Sequence, residues 1–335
     1  MDRRKFILNT AVAGLGAPLI SSGFKQKEIT LIKPPALPKN GTIQLITPAS
    51  ALSRSSFEKT MENMEMLSFK IKYSDNIRVR SGFLSGTDEQ RLQDLQNAFL
   101  DDTVDAVLCA RGGYGSGRLL PMIDYDLIRN NPKIFIGFSD ITALLIAFYQ
   151  KSGLIGFHGP VGASEFNDFT VDCLLDTIQK GKHSKISNDG SAPIFAGTCE
   201  GRMIGGNLSI LVSLIGTPFD MVYDDHILFL EEIGESTYRV DRMLTQLVNS
   251  GKLKKVKGIV LGYFTNCDTN PDDPYFDFSI SLDEVFKNRF EHLGIPVAKG
   301  FPIGHEAHNT TIPLGIKASL DAEKGQIRML ESAVA

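Results

Sequence analysis

The chain has 335 residues, of which 42% are hydrophobic and 22% charged, a balance typical of a folded globular protein. This length predicts about two domains with substantial cores. A net charge of −4 argues against a nucleic-acid-binding protein, which normally carries a basic surplus. The four cysteines lie far apart and form no Cys-x-x-Cys pair, so neither a zinc site nor a disulfide framework is indicated.

The first 23 residues have the layout of an export signal. A basic cluster, DRRKFI, precedes a weakly apolar run from Leu8 to Ile20. This run is too short and too interrupted by glycine and proline to span a bilayer permanently. Its order is that of a secretory signal peptide, and the Arg3-Arg4 pair resembles a twin-arginine signal. We therefore expect export to the periplasm or cell envelope, with no stable membrane insertion after removal of residues 1–23. A frayed N-terminal tail is the alternative.

Residues 40–165 alternate between strand and helix patterns, which predicts an N-terminal α/β domain whose parallel sheet is covered by helices. Thr87 and Gln90 form a capping box at one helix start. The other predicted elements are strands at Thr42–Thr47, Val104–Ala110 and Ile134–Phe138 and helices at Ser55–Phe69 and Ile141–Tyr149.

Residues 166–200 are more polar, contain one predicted helix at Val171–Gln179, and are expected to connect two domains. Residues 201–332 predict a second, smaller α/β domain with a mixed or barrel-like sheet. Its predicted elements are strands at Ile227–Leu230 and Gly258–Phe264, helices at Tyr238–Val248 and Asp283–Phe290, and a hairpin formed by Ile316–Leu320 and Gln326–Leu330.

Ser139 directly follows a buried strand and precedes a helix. Open α/β sheets place their sites at the carboxyl ends of strands, and the N-terminus of a helix can stabilise an oxyanion. The segment therefore follows the logic of a nucleophile elbow, although it lacks the Gly-x-Ser-x-Gly pattern. The alternative is that Ser139 or Asp140 simply caps the helix.

Glu231 and Glu232 directly follow the apolar strand Ile227–Leu230. Neighbouring side chains on an extended segment point to opposite sides, so these carboxylates cannot work as a pair on one substrate atom. We expect Glu231 to face the space between the domains and Glu232 to face solvent or the following helix. A solvated strand end is the alternative reading of Glu231.

His305 lies in a loop, GFPIGHEAHN, that glycine and proline keep from being helical. Imidazole is the usual general base near neutral pH. His305 and His308 are three positions apart and do not match the His-Glu-x-x-His helix of zinc peptidases. We expect neither a metal nor a bound cofactor.

The segment Arg111–Gly117 follows a predicted strand and is rich in glycine. It matches neither the Gly-x-Gly-x-x-Gly pattern of dinucleotide sites nor a P-loop. Its exposed backbone N–H groups could still bind an anion or an oxyanion.

Taken in order, these segments resemble the LD-carboxypeptidase family, peptidase family S66, which includes the microcin-immunity peptidases. The resemblance extends from about Gly41 to Met329. It rests on six strings: Gly86-Thr87-Asp88-Glu89-Gln90-Arg91, Arg111-Gly112-Gly113-Tyr114-Gly115, Gly137-Phe138-Ser139-Asp140, Gly205-Gly206-Asn207-Leu208, Leu230-Glu231-Glu232 and Pro302-Ile303-Gly304-His305.

The resemblance implies a role for each candidate residue. Ser139 would be the nucleophile, His305 the general base and then acid, and Glu231 the carboxylate that orients His305. The backbone N–H of Asp140 and one N–H from the Gly112–Gly113 turn would form the oxyanion hole. The nucleophile would come from the first domain and the other two side chains from the second, so the active site would be a cleft between domains.

The substrate that the resemblance implies is the murein tetrapeptide, cleaved between its diamino acid and the terminal D-Ala. We infer that Arg111 or the glycine turn holds the free carboxylate, because a guanidinium matches that group in a bidentate fork. Pairing of Arg111 with a neighbouring acid is the alternative.

Two other functions remain open. Immunity peptidases that cleave nucleotide-bearing antibiotics use an aromatic loop, often with tryptophan, whereas this chain has no tryptophan. This absence favours the cell-wall branch over that amidase activity. A non-catalytic wall-peptide binding protein is the other alternative.

Members of the family often dimerise, so the resemblance allows a homodimer.

Overall fold

The computed structural model describes residues 30–181, 185–269 and 278–335. The predicted signal peptide, residues 1–23, lies outside the described residues. None of the helices in the described ranges has the length and hydropathy needed to cross a bilayer.

Strands and helices occur in both halves of the chain. In chain order the strands are β1 (Thr42–Ile46), β2 (Lys70–Tyr73), β3 (Ala106–Cys109), β4 (Ile134–Gly137), β5 (Phe157–His158), β6 (Lys185–Ser187), β7 (Thr198–Asn207), β8 (His226–Ile233), β9 (Gly258–Thr265), β10 (Val297–Ala298), β11 (Ile312–Pro313), β12 (Lys317–Asp321) and β13 (Gln326–Met329). The helices are α1 (Arg54–Leu67), α2 (Asp88–Leu100), α3 (Tyr125–Asn130), α4 (Thr142–Ala147), α5 (Asp168–Ile178), α6 (Leu208–Leu214), α7 (Thr237–Asn249) and α8 (Leu282–Phe290).

The first sheet has six strands in the order β11-β5-β4-β3-β1-β2. Its strands are parallel except for β11, which joins β5 in the antiparallel direction. β3 and β4 are buried along their whole length, because helices cover both faces of such a sheet. The carboxyl ends of these parallel strands lie along one edge of the sheet.

The second sheet has seven strands in the order β10-β9-β8-β7-β12-β13-β6. The strands from β10 to β7 are parallel, and the β12–β13 hairpin and β6 continue the sheet in the antiparallel direction. The predicted fold class, two α/β units with one parallel and one mixed sheet, is confirmed. The second sheet is open at both edges, so its mixed form is the one observed and no barrel forms.

Local sequence signals account for the helix that begins at Asp88. Thr87 and Gln90 make the predicted capping box, in which the Gln90 N–H donates to Thr87 Oγ1 and the Thr87 N–H donates to Gln90 Oε1. The helix behind β4 differs from its prediction in detail. It consists of α4, a preceding 3₁₀ turn at Ser139–Ile141 and a following π-helical turn at Phe148–Ser152.

The two sheets are joined by close contacts at the end of β7. Gly206 has a φ of +140°, and a Cβ at this position would lie 2.6 Å from Thr142 Oγ1 at the start of α4. The next residue, Asn207, donates its backbone N–H to the same Thr142 hydroxyl at 3.1 Å. This close approach brings the second sheet against the helix that follows Ser139.

Candidate active site

Ser139 occupies a sharp turn between β4 and α4. Its φ is +62°, a left-handed conformation that is unfavourable for a residue with a Cβ and recurs at functional sites. Neither Ser139 nor Asp140 makes a side-chain cap to the 3₁₀ turn or to α4, so the capping alternative is wrong. The Asp140 carboxylate instead accepts the Ser116 N–H at 2.8 Å, and the Ser116 hydroxyl donates to the Asp140 carbonyl at 2.6 Å.

The glycine turn after β3 lies directly beside Ser139. A Cβ on Gly112 would lie 3.1 Å from the Ser139 Cβ and 3.2 Å from the Phe138 carbonyl oxygen, so the turn and the serine approach as closely as glycine permits. Among the described residues, the Gly112 and Gly113 backbone N–H groups donate no hydrogen bond. The turn therefore presents unengaged donors next to a hydroxyl.

A buried guanidinium holds the far end of this turn. Arg91 on α2 is only 2% exposed and donates to the Gly115 carbonyl at 2.9 Å and to the Pro48 carbonyl. It also pairs with Asp88, which in turn binds the exposed Arg118. No sequence pattern identified Arg91 as a site residue. Its position in the capping-box helix indicates a role in structure, and its contact with the glycine turn depends on tertiary packing.

Arg111 is exposed and donates to the Ala51 carbonyl at 3.0 Å. It forms no ion pair with an acid among the described residues, contrary to the pairing considered as an alternative.

Glu231 and Glu232 bind different partners, and both are buried. Glu232 accepts the Asn207 side-chain amide at 3.0 Å and the Ser209 backbone N–H at 2.8 Å at the start of α6. Burial raises the pKa of the Glu232 carboxyl. Glu232 therefore binds the preceding helix α6 rather than facing solvent or the following helix, and Glu231 is not the solvated strand end considered as an alternative.

The loop that carries His305 passes directly over Glu231. The His305 Nδ1 and Glu231 Oε2 atoms are 2.7 Å apart. Gly304, with a φ of +118°, permits this approach, since a Cβ there would lie 2.8 Å from Glu231 Oε2. The Tyr263 N–H donates to the Ile303 carbonyl at 2.8 Å and fastens the loop to β9.

Two imidazoles determine the ionisation of Glu231. Burial by itself raises the pKa of this carboxyl, and His158 and His305 outweigh burial and lower the pKa to about 2. His158, at the end of β5, is completely buried, and its Nε2 lies 3.8 Å from Glu231 Oε1. His158 was not predicted from the sequence, although it is a polar residue at the end of a short apolar strand, much as Ser139 directly follows one.

Phe138 links the serine to the imidazole. Its ring centroid is 4.7 Å from that of His305, and Ser139 is the next residue in the chain. The Ser139 hydroxyl is half-buried and makes no hydrogen bond within the described part of the chain.

His308 packs on Phe169 at a centroid distance of 4.9 Å. The described residues contain no group of three or more His, Cys, Asp or Glu side chains arranged to hold a metal ion.

A strained serine after a strand, unengaged backbone donors and a carboxylate–imidazole pair are the groups that a hydrolase of the acyl-transfer type uses, and they form a candidate site of that class. Comparison with known families agrees with this class. Residues 43–159 match the LD-carboxypeptidase N-terminal domain, and residues 200–320 match the LD-carboxypeptidase C-terminal domain. The chain belongs to the LD-carboxypeptidase family S66 and is a peptidase of that family.

Individual relatives are similar along most of the chain. A probable murein peptide carboxypeptidase of Bacillus subtilis is 38% identical over 299 residues, 87% of this chain and 92% of the relative. The murein tetrapeptide carboxypeptidase of Pseudomonas aeruginosa is 34% identical over 86% of this chain and 95% of the relative. The structure of the microcin C7 self-immunity protein MccF in complex with aspartyl sulfamoyl adenosine has a TM-score of 0.80 and 27% identity, covering 91% of this chain and all of that one.

Proposed function

We propose that this chain is a serine LD-carboxypeptidase that hydrolyses the amide bond before the terminal D-Ala of murein tetrapeptides. The observation that carries the proposal is the 2.7 Å contact between His305 and Glu231, with the His305 ring packed on Phe138, the residue before the strained Ser139. The names of the carboxypeptidase relatives support the same substrate class.

The reaction is an acyl transfer in two steps. Ser139 Oγ attacks the carbonyl carbon of the scissile amide while His305 Nε2 accepts the hydroxyl proton. Glu231 accepts the hydrogen bond from His305 Nδ1 and stabilises the imidazolium. The imidazolium then gives its proton to the departing D-Ala nitrogen, which leaves an acyl-serine ester. A water molecule, deprotonated by His305, attacks the ester, and the imidazolium then returns the proton to Ser139 Oγ as the shortened peptide leaves.

The backbone supplies the stabilisation of the oxyanion. We assign this role to the Asp140 N–H, at the start of the helical segment, and to an N–H of the Gly112–Gly113 turn. The Gly112 and Gly113 N–H groups donate no hydrogen bond among the described residues, so these two donors are available without reorganisation. Arg111, exposed next to this turn, binds the free carboxylate of the terminal residue in the proposal.

We also propose export, on the basis of residues 1–23, and therefore trimming of peptides at the cell wall. A homodimer is a further proposal that rests on the resemblance alone.

The test is mass spectrometry of defined muropeptides after incubation with the purified protein. We expect release of D-Ala from the tetrapeptide, abolished in Ser139→Ala and retained in Ser250→Ala, a control at the end of α7. Equal turnover by the wild type and Ser139→Ala would reject Ser139 as the nucleophile.

The same assay separates the alternative functions. Turnover of an aminoacyl-nucleotide amide in place of the tetrapeptide would identify an amidase of the microcin-immunity type, the activity that the structural similarity to MccF supports. Binding of the tetrapeptide without any turnover would identify a wall-peptide binding protein.

A further inference from the structure

His158 is a buried histidine without a hydrogen-bond partner. Its side chain is completely excluded from solvent, and both ring nitrogens lack a partner among the described residues. Its ring packs between Phe138 and Phe229, at centroid distances of 5.9 and 5.1 Å. Buried polar groups are almost always hydrogen-bonded in folded proteins, so an unpartnered imidazole in an aromatic enclosure requires an explanation.

The Glu231 carboxylate, beside His158, also has an atom that lacks a hydrogen bond. Glu231 Oε1 is also buried and unpartnered, and it lies 3.8 Å from His158 Nε2. The other carboxylate oxygen, Oε2, is already bound to His305. An approach of about 1 Å would turn the contact between Nε2 and Oε1 into a hydrogen bond and would satisfy both atoms at once.

We propose that His158 is a positioning residue that donates its Nε2–H to Glu231 Oε1 and thereby holds the carboxylate between two imidazoles. The importance of this contact for the reaction rests on the proposed function, whereas the contact itself does not.

Holding both oxygens fixes the direction of the carboxylate. A carboxylate bound through one oxygen can rotate about its terminal bond, whereas one bound through both presents Oε2 steadily to His305 Nδ1. That hydrogen bond keeps the His305 proton on Nδ1 and leaves Nε2 free to act as the base.

The surroundings contain few other charges. The titratable groups that face Glu231 are His158 from β5 and His305 from its loop. Glu232, the next residue, points away to the N-terminus of α6, and the aromatic rings beside His158 are uncharged.

The tautomer of His158 in the wild-type protein gives the first test. Long-range ¹H–¹⁵N spectra of histidine-labelled protein at neutral pH, assigned with a His158→Phe variant, should show a proton on His158 Nε2. A ring protonated on Nδ1 alone would overturn the proposal. The measurement is made on the wild-type protein and does not depend on substrate turnover. The His158→Phe variant serves only to assign the signal.

The titration of the Glu231 carboxyl gives the second test, with His158→Phe and His158→Gln as a matched pair. Phenylalanine fills the space without a donor, whereas the glutamine amide can place an N–H near the position of Nε2. Because His158 is one of the two imidazoles that lower the pKa of Glu231, we expect its ¹³C titration midpoint to rise by at least about one pH unit in His158→Phe and to stay near the wild-type value in His158→Gln. Coincident titrations in all three proteins would overturn the proposal.

Kinetics show whether positioning matters for the reaction. In His158→Phe we expect kcat to fall by about 10- to 100-fold, KM to change little, and the acid limb of kcat/KM to move to higher pH, with recovery in His158→Gln. Equal loss in both variants without a shift of the acid limb would indicate space-filling alone and contradict the proposal. If Ser139→Ala retained activity while the Glu231 titration still shifted, the serine mechanism would fail and the contact would stand.

Discussion

Ser139 has a left-handed backbone that a β-carbon disfavours, and the surrounding contacts keep it there. The Ser116–Asp140 hydrogen bonds fix the residue that follows it, and the Gly112 turn packs against its Cβ. Residues in such conformations persist only where neighbouring structure imposes them, and they concentrate at active sites. The Ser139 hydroxyl makes no cap to the helical segment that follows it.

Glu231 provides a prediction for stability against pH. Its folded pKa of about 2 lies below the ordinary value of 4.5. A carboxyl with a lowered folded pKa contributes stability that is fully present above the ordinary value and is lost as the pH falls through the folded value. The contribution is on the order of 3 kcal/mol, at about 1.4 kcal/mol for each unit of pKa.

We therefore expect the difference in unfolding free energy between the wild type and Glu231→Gln to shrink as the pH falls from 4.5 to about 2. Urea unfolding of both proteins at a series of pH values measures this difference. A difference that does not depend on pH across this window would show that the folded protein does not favour the ionised form of Glu231.

At the scale of elements, two loops build the site and each depends on a close approach at glycine. The glycine turn meets Ser139 at Gly112, and the His305 loop crosses Glu231 at Gly304. The register of β9 with β8 shifts between Leu230 and Glu232, next to the catalytic candidate Glu231. Irregularities of this kind often occur beside active sites, where they redirect a strand.

Gly112 and Gly117 form a matched pair within one turn. A Cβ on Gly112 would lie 3.1 Å from the Ser139 Cβ, whereas a Cβ on Gly117 would meet nothing within 4 Å, and neither residue has a positive φ. We expect Gly112→Ala to lower kcat by about 10- to 100-fold, because it displaces the proposed oxyanion donors from the serine, and Gly117→Ala to leave kcat near the wild-type value. Steady-state kinetics, with the melting temperature as a control for folding, measures both. The same kcat in the two variants would remove the turn from the proposed mechanism.

At the scale of the whole molecule, the sequence predicted the elements with strong local signals. The apolar run behind β4, the capping box of α2 and the β12–β13 hairpin all appear where they were expected. The strands β5 and β11 have two residues each, too few for a periodic pattern, and they are defined by pairing with each other and with β4. β7 ends in Gly205 and Gly206, which have positive φ, and Asn207. Glycine and asparagine are uncommon in strands, so the sequence pattern does not predict the end of this strand.

The residues of the candidate site divide in the same way, into those with a local sequence signal and those whose role depends on tertiary contacts. Local patterns placed Ser139 and Glu231 at strand ends, but the contact between Glu231 and His305 spans 74 positions and depends on how a loop folds over a strand. The resemblance to a family supplied that pairing at the sequence level. His158 was missed because its significance depends entirely on the tertiary contact with Glu231.

The account depends on a covalent intermediate at Ser139 that residues from the other half of the chain activate. The most direct measurement uses a tetrapeptide analogue in which D-lactate replaces the terminal D-Ala, since an ester acylates faster than an amide and allows the intermediate to accumulate. Rapid quenching and peptide mass spectrometry should show a burst of lactate and an acyl group on the peptide spanning residues 134–151, both absent in Ser139→Ala. Lactate release that continues in Ser139→Ala, with no added mass on that peptide in the wild type, would contradict the account.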